Sequence, residues 1–314
     1  MKRILLTCII LIIMIEILLF PKESMLYAST GLRLWFDNMI PALFPFMVLS
    51  GLIIRLELAP SIVSFLHPLL YKIFHTNQYC EYVITMGFLC GYPMGAVIIN
   101  DLIKEEKISL AQGEYLLAFC NNVGPVFYCS LVLPMFEKKY YTLLLCGMYL
   151  IPLFYGIIMR YTFYKKAFIT EKNTIILQKI NQNTDIQFGS ALINSLNRAV
   201  SASLYLGGCM IFFNMLRLIP MHFSGDNKIL SLMACWLLEV NGAISMSSQL
   251  CANGYVTAVL LMLPFLAIGG LSCICQTIGV LSDTKCNIKV HIFHKSIQAF
   301  TWFCLTLLWL LMKI

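Results

Sequence analysis

The 314 residues are 60% hydrophobic and 12% charged, with a mean hydropathy of +0.82; that leaves too little polar surface for a soluble globule and indicates an integral membrane protein. A formal charge of +7 raises nucleic acid as a partner, but Lys and Arg are scattered through short connections without a dense basic strip, so no nucleic-acid partner is expected and membrane orientation explains the excess. The 13 cysteines stand mostly in apolar runs, where a thiol behaves as a small hydrophobe rather than part of a disulfide framework.

The chain opens with Lys2-Arg3 before the apolar run Ile4 to Phe20. We read it as an uncleaved anchor helix within residues 1–27, a cleaved signal peptide being the alternative. Glu16 is unusual in either. Apolar segments long enough to cross a hydrocarbon core of about 30 Å then recur. The expected crossings lie near 4–20, 39–58, 112–134, 142–163, 200–219, 255–280 and 293–313. Two further stretches, 81–100 and 229–250, are interrupted by Gly91-Tyr92-Pro93 and Asn241-Gly242 and read as re-entrant hairpins, because Pro stops a helix and Gly permits tight reversal.

Lys and Arg accumulate in cytoplasmic loops. Lys2 and Arg3, the connection 101–107, the group Arg160 to Lys179, and Lys285 with Lys289 all fall on one side under this map, with Lys138 and Lys139 dissenting. Residues 28–38 and 189–199 are expected as amphipathic arms along opposite interfaces. The division that follows is anchor 1–27, a first repeat 28–163, a basic linker 164–188 expected to be mobile, and a second repeat with a final helix, 189–314.

Glycine-rich polar breaks mark corresponding places in the two halves. The first half carries Gly87 to Gly95 and Phe119-Cys120-Asn121-Asn122-Val123-Gly124-Pro125; the second carries Leu238-Glu239-Val240-Asn241-Gly242 and Gly269 to Gln276. Cys90 and Asn121 stand 31 residues apart, as do Glu239 and Gly270. The charge map starts the two units on opposite sides, which is the pattern of an inverted-topology repeat, and paired breaks point to a transporter's binding site. The alternative is that small residues are simply common in membrane helices.

The motifs Gly91-Tyr92-Pro93-Met94-Gly95-Ala96, Leu117 to Pro125, Glu239-Val240-Asn241-Gly242 and Gly269-Gly270-Leu271-Ser272 with Gln276 resemble the sporulation integral membrane protein YlbJ family, within the nucleoside-recognition (Gate) domain group. The likeness spans roughly residues 30–290. It departs at Cys120, where a hydroxyl residue is usual, and at Cys273-Ile274-Cys275. The resemblance implies an architecture like that of concentrative nucleoside transporters. It also implies a multi-pass protein of the mother-cell membrane around the forespore that moves dipicolinate, a flat dianion, across that membrane during endospore formation.

Candidate solute-binding residues are Gly91, Tyr92, Pro93, Gly95, Asn121, Asn122, Gly124, Asn241, Ser272 and Gln276. The motifs contain no Lys or Arg, so helix amino ends and amides are expected to hold an anion. Asn121 and Asn122 have the alternative role of satisfying carbonyls freed by the break, and Tyr92 that of filling the core. Glu239, a carboxylate in an apolar segment, is the candidate for proton coupling, a structural pair being its alternative. Arg55, Glu57 and Glu114 are expected to snorkel at helix ends. His67, His291 and His294 are placed in loops or at the interface, and Asp37, Asp101, Asp185, Asp226 and Asp283 in connections or on amphipathic segments. Cys273-x-Cys275 lacks zinc spacing, no metal or cofactor is expected, and no hydrolase constellation is present, so an enzyme is not expected. The reading is an all-α polytopic membrane protein of about seven transmembrane helices and two re-entrant hairpins. It is read as a transporter of a small anionic or aromatic solute, with a non-transporting spore-envelope scaffold or a nucleoside carrier as alternatives and homo-oligomerisation open.

Overall fold

The structure is a computed structural model that describes residues 2–168, 188–225 and 227–312. All regular elements among them are helical. Most of the expected basic linker, including its expected mobility, and Asp185, Asp226 and Lys313-Ile314 lie outside the described residues.

Helix α1 (Lys2–Leu19) precedes the long α2 (Pro21–Arg55). Two short helices, α3 (Ala59–Val63) and α4 (His67–Phe74), lead to α5 (Gln78–Cys90) and α6 (Met94–Lys104), then to α7 (Leu110–Phe119), α8 (Pro125–Met135) and α9 (Lys138–Tyr161). The second half shares part of this order, without helices among its described residues in the places of α1, α3 and α4. It runs α10 (Phe188–Phe223), α11 (Lys228–Leu238), α12 (Val240–Ala252), α13 (Val256–Met262) extended by the 3-10 turn Leu263–Ala267, α14 (Gly270–Val280) and α15 (Ile288–Met312).

Among the described residues, five helical stretches are long and apolar enough to cross a membrane: α2, α9, α10, α15 and the stretch Val256–Val280 that joins α13 to α14. Of the two other expected crossings, 4–20 is α1, which carries Lys2, Arg3 and Glu16 in 18 residues. The segment 112–134 is two half-helices meeting at Cys120–Gly124. Ile4, Leu18, Phe65, Val126, Phe212 and Phe300 are exposed, as a lipid-facing surface requires.

Local chemistry accounts for several boundaries. Asn77 accepts from Cys80 N at 2.8 Å and Asn227 from Leu230 N at 3.1 Å, so the first arm of each hairpin begins at an Asn cap. Ser109 and Gln112 form a reciprocal capping box at the start of α7. Wide π turns at Leu34–Met39, Tyr128–Val132 and Cys146–Leu150 each end two residues before a proline: Pro41, Pro134 and Pro152. A proline has no N–H to donate and its ring crowds the carbonyl four residues back, which displaces the preceding turn.

The expected interfacial arms are continuous with long helices instead: 28–38 belongs to α2 and 189–199 to α10. The two helices have small residues where they meet, so burial against each other replaces interfacial exposure. A Cβ on Gly31 would lie 2.6 Å from Met210 O, Trp35 Nε1 donates to Ser203 O at 2.9 Å, and a Cβ on Gly51 would lie 2.9 Å from Ser195 Oγ. As numbers rise along α2 they fall along α10, so the pair is antiparallel. Glu16, at odds with its apolar run, bonds His222 Nδ1 at 2.5 Å near the far end of α10.

Two buried cores result. One surrounds α5 to α7 with Phe74, Ile98, Ile99 and Leu116; the other surrounds α11 to α13 with Trp236, Leu260, Leu263 and Trp302. Val123, Tyr128 and Val132 of the first half pack into the second core, as do Leu144 and Met148 of α9.

The α2–α10 crossing predicts that Gly31→Val, which forces a side chain against the Met210 backbone, lowers stability by about 1–3 kcal/mol. Gly208→Ala on α10 meets nothing within 4 Å and raises it by up to about 1 kcal/mol. Thermal unfolding in detergent compares the two.

Candidate functional site at the helix breaks

In the first half, the hairpin tip and the broken helix touch through bare backbone. Gly87, Gly91 and Gly95 recur every four residues; a Cβ would fall 2.3 Å from Cys120 O at Gly87, 2.6 Å from the same oxygen at Gly95, and 2.4 Å from Gly124 N at Gly91. Gly91 has φ +87° and ψ 178°, a region open essentially to glycine alone. Tyr92 N then donates to Asn122 O at 2.5 Å across a cis Tyr92-Pro93 peptide. Pro93 caps α6 and is buried.

The end of α7 leaves carbonyls without helical partners. Asn122 Nδ2 donates to Phe119 O at 2.6 Å, His291 Nδ1 to Leu117 O at 2.9 Å, and Gln298 Nε2 to Ala118 O at 2.7 Å. The second Asn122 atom, Oδ1, accepts from Lys295 Nζ at 2.6 Å. Asn122 therefore does serve freed backbone, while also holding a buried ammonium.

The second tip is built differently. Glu239 is extended, with φ −151° and ψ 122°, and caps α12: Oε2 accepts from Gly242 N at 2.8 Å and Oε1 from Asn241 Nδ2 at 2.9 Å. Arg217 lies flat on Gly242, where a Cβ would come 1.8 Å from Nη1, and donates to Asn214 Oδ1 at 3.1 Å. Gly269 and Gly270 have φ +82° and +68°, and a Cβ on Gly270 would stand 3.0 Å from Trp236 O. The equal 31-residue spacings in the sequence thus correspond to equivalent contacts, each tip against the break that follows it.

The two halves meet at these breaks. Asn121 Nδ2 donates to Thr277 Oγ1 at 3.2 Å, one residue from Gln276, whose Nε2 bonds Ser272 Oγ at 3.1 Å. A Cβ on Gly269 would lie 3.7 Å from Tyr92 Cε1, so the first tip reaches the second break. Asn241 is committed to Glu239 rather than turned across the junction. Tyr92 Oη is buried against the Cys273 thiol, and Asn121 Oδ1 is buried without a hydrogen-bond partner in this arrangement.

Several sequence expectations need correction. Amides and dipoles are not the only positive groups present, because Lys295 of α15 and Arg217 of α10 reach the breaks from outside the motifs. Both were legible as charges within or beside apolar runs; their targets were not. His291 and His294 are buried on α15, only 4% and 3% exposed, because that face packs on α7 and α9, with His294 Nδ1 2.6 Å from Tyr155 Oη. Asp101 is not in a connection but is buried on α6, accepting from Arg198 Nη1 at 2.6 Å. Asp37 lies in the first π turn of α2.

Away from the breaks, ion pairs both between the halves and within the first half gather at the end that the charge map assigns to the cytoplasm. Arg198 also lies 3.7 Å from Glu105, Arg55 pairs with Glu105 at 3.3 Å, Lys104 with Asp283 at 2.5 Å, and Lys107 with Glu57. Beside them, Val97, Asn100, Asn197, Tyr205 and Gly279 help line a cavity of about 430 Å³. The Lys104 hydrogen bond holds the exposed Asp283 carboxyl below the usual aspartate range. A carboxyl shifted this way stabilises the fold above its unfolded pKa and ceases to do so as pH falls through the folded one, so the clasp persists at neutral pH.

The chain is 24% identical over 307 residues to the sporulation integral membrane protein YlbJ of Bacillus subtilis (strain 168), covering 88% of this chain and 75% of that protein. No family model matches the chain and no solved structure matches it.

The tip geometry predicts that Gly91→Ala costs about 3 kcal/mol or more, from an unfavourable φ together with a backbone clash. Gly254→Ala has the same φ of +87° in open space and costs about 1–2 kcal/mol. Melting temperatures in one detergent should rank wild type, Gly254→Ala, Gly91→Ala in descending order.

Proposed function

We propose that this chain, which its similarity to YlbJ places in the YlbJ family of integral membrane proteins, is a transporter of a small anionic aromatic solute. Dipicolinate is the cargo of this reading, moved during endospore formation from the mother cell across the outer forespore membrane. The observation that carries the proposal is the junction of two interrupted helices and two helix–turn–helix tips, joined by Asn121 to Thr277 and by Tyr92 beside Gly269. Irregular backbone is tolerated at membrane depth only where protein or a wet path covers it. Four such interruptions converging on one place are costly to assemble for a purely mechanical role.

The arrangement supports alternating access through a Gate-type inverted repeat. Part of the element order recurs in both halves, and the equivalent helices α2 and α10 run antiparallel, as an axis in the membrane plane requires. The cavity of about 430 Å³ bordered by Asp101, Lys104, Arg198 and Asp283 is a vestibule in this reading. From it, α6 and α14 lead towards the tips, where the candidate side chains are closed on one another. Movement of a tip away from its break would free Asn122, Tyr92 and Asn121 for solute. Glu239 is the proton-coupling candidate, because separation of α11 from α12 would loosen the cap that holds its charge.

The test is uptake of pyridine-2,6-dicarboxylate into proteoliposomes. Wild type should show saturable flux. Asn122→Ala strips partners from Phe119 O and Lys295 at once and should reduce flux at least tenfold, in line with about 1–3 kcal/mol for a buried group left unsatisfied. Glu239→Gln should flatten the pH dependence. Unchanged flux in both variants would remove the breaks from the transport path; absent flux for the dicarboxylate and for uridine, with folding intact, would favour a scaffold.

A further inference from the structure

Lys295 lies in the first third of α15 (Ile288–Met312), is 1% exposed, and has a neutral amide, Asn122 Oδ1 at 2.6 Å, as its hydrogen-bond partner. Its neighbours on the same helix face, His291 and Gln298, point at the same region and have clear structural duties, satisfying the Leu117 and Ala118 carbonyls. Lys295 is not used that way. When protonated, its amine carries three donors and a positive charge, and no carboxylate pairs with it among the described residues. The buried carboxylates are engaged elsewhere: Glu239 with Gly242 and Asn241, Glu81 with His67 at 2.8 Å, Asp101 with Arg198.

An uncompensated cation at membrane depth is expensive and marks function unless it is paired. The carboxyl end of α7 supplies only a fraction of a charge, and its last carbonyls already have His291, Gln298 and Asn122 as donors. We infer that Lys295 is the cation that binds a solute carboxylate, positioned by Asn122 at the break between α7 and α8. The site therefore takes a solute through its carboxylate and selects it over a neutral nucleoside by charge. This assignment rests on the transport reading for its role but not for its chemistry.

Three proteins decide it: wild type, Lys295→Met and Lys295→Arg, each full length in detergent and in proteoliposomes. Two readouts are taken with pyridine-2,6-dicarboxylate, pyridine-2-carboxylate and uridine: the shift in melting temperature on adding the compound, and flux. Methionine fills the lysine's volume without a buried charge, so Lys295→Met should melt at the same temperature as wild type or higher. It should lose the melting shift with both carboxylates and at least tenfold of carboxylate flux, while Lys295→Arg retains more of each. A structural lysine gives the opposite pattern, a lower melting temperature in Lys295→Met with the carboxylate shift preserved, and overturns the assignment. Wild-type flux that Lys295→Met leaves intact also overturns it, while sparing the transport reading. A melting shift that Lys295→Met abolishes, without flux in any protein, supports the anion site and overturns transport. Neither shift nor flux in wild type overturns both.

Discussion

Everything in this fold is subordinate to the need to satisfy backbone groups inside an apolar medium. A continuous helix does so internally, but this chain interrupts its helices at Gly91 to Pro93, Cys120 to Gly124, Glu239, and Ile268 to Gly269. Each interruption exposes carbonyls and amides that lipid cannot satisfy. The solution is to bring interruptions together. Gly91 and Gly124 are bare so that one backbone can lie on another, and Asn122, His291 and Gln298 complete what the contact leaves open. A larger residue at Gly91 would separate tip from break and leave both without partners.

The same economy governs the charges. At the end assigned to the cytoplasm, Asp101, Lys104, Glu105, Arg198 and Asp283 pair across the two halves, with partners that remain partly hydrated except at Asp101. Within the membrane-depth region, each buried charge has a local reason. Glu239 caps a helix, Arg217 bridges α10 to the second tip, and Glu81 faces His67. Lys295, held by the Asn122 side-chain oxygen, stands at the break where the two halves converge.

The halves are also interlocked. Although part of the element order repeats, the side chains of α8 and of part of α9 fill the core built around α11 to α13. A rigid separation into one unit before residue 163 and another after 189 would strip that core of Tyr128, Val132 and Met148. Relative motion is more easily accommodated by the hairpin tips, whose contacts with the breaks are short and polar, than by the long α2–α10 seam. Ion pairs at one end and the glycine-lined α2–α10 seam keep the frame together.

Helical membrane character, the hairpin turns at Gly91-Tyr92-Pro93 and near Asn241, and the recurrence of breaks in both halves were readable from composition, Pro and Gly placement, and equal 31-residue intervals. These are local properties, set by hydropathy and by which backbone angles a residue tolerates. Glu239 was likewise legible as a costly carboxylate, though not as a helix cap. The sequence could not reveal that residues 28–38 and 189–199 are lengths of two helices packed on each other, because Trp35 and Gly31 look interfacial until Ser203 and Met210 are placed against them. Nor could it bring Lys295 to Asn122, 173 residues away, or Asn121 to Thr277, 156 residues away. Periodicity and residue chemistry determine what each segment can satisfy by itself. The tertiary structure alone decides which distant donor meets which orphaned acceptor, because that depends on how whole helices cross.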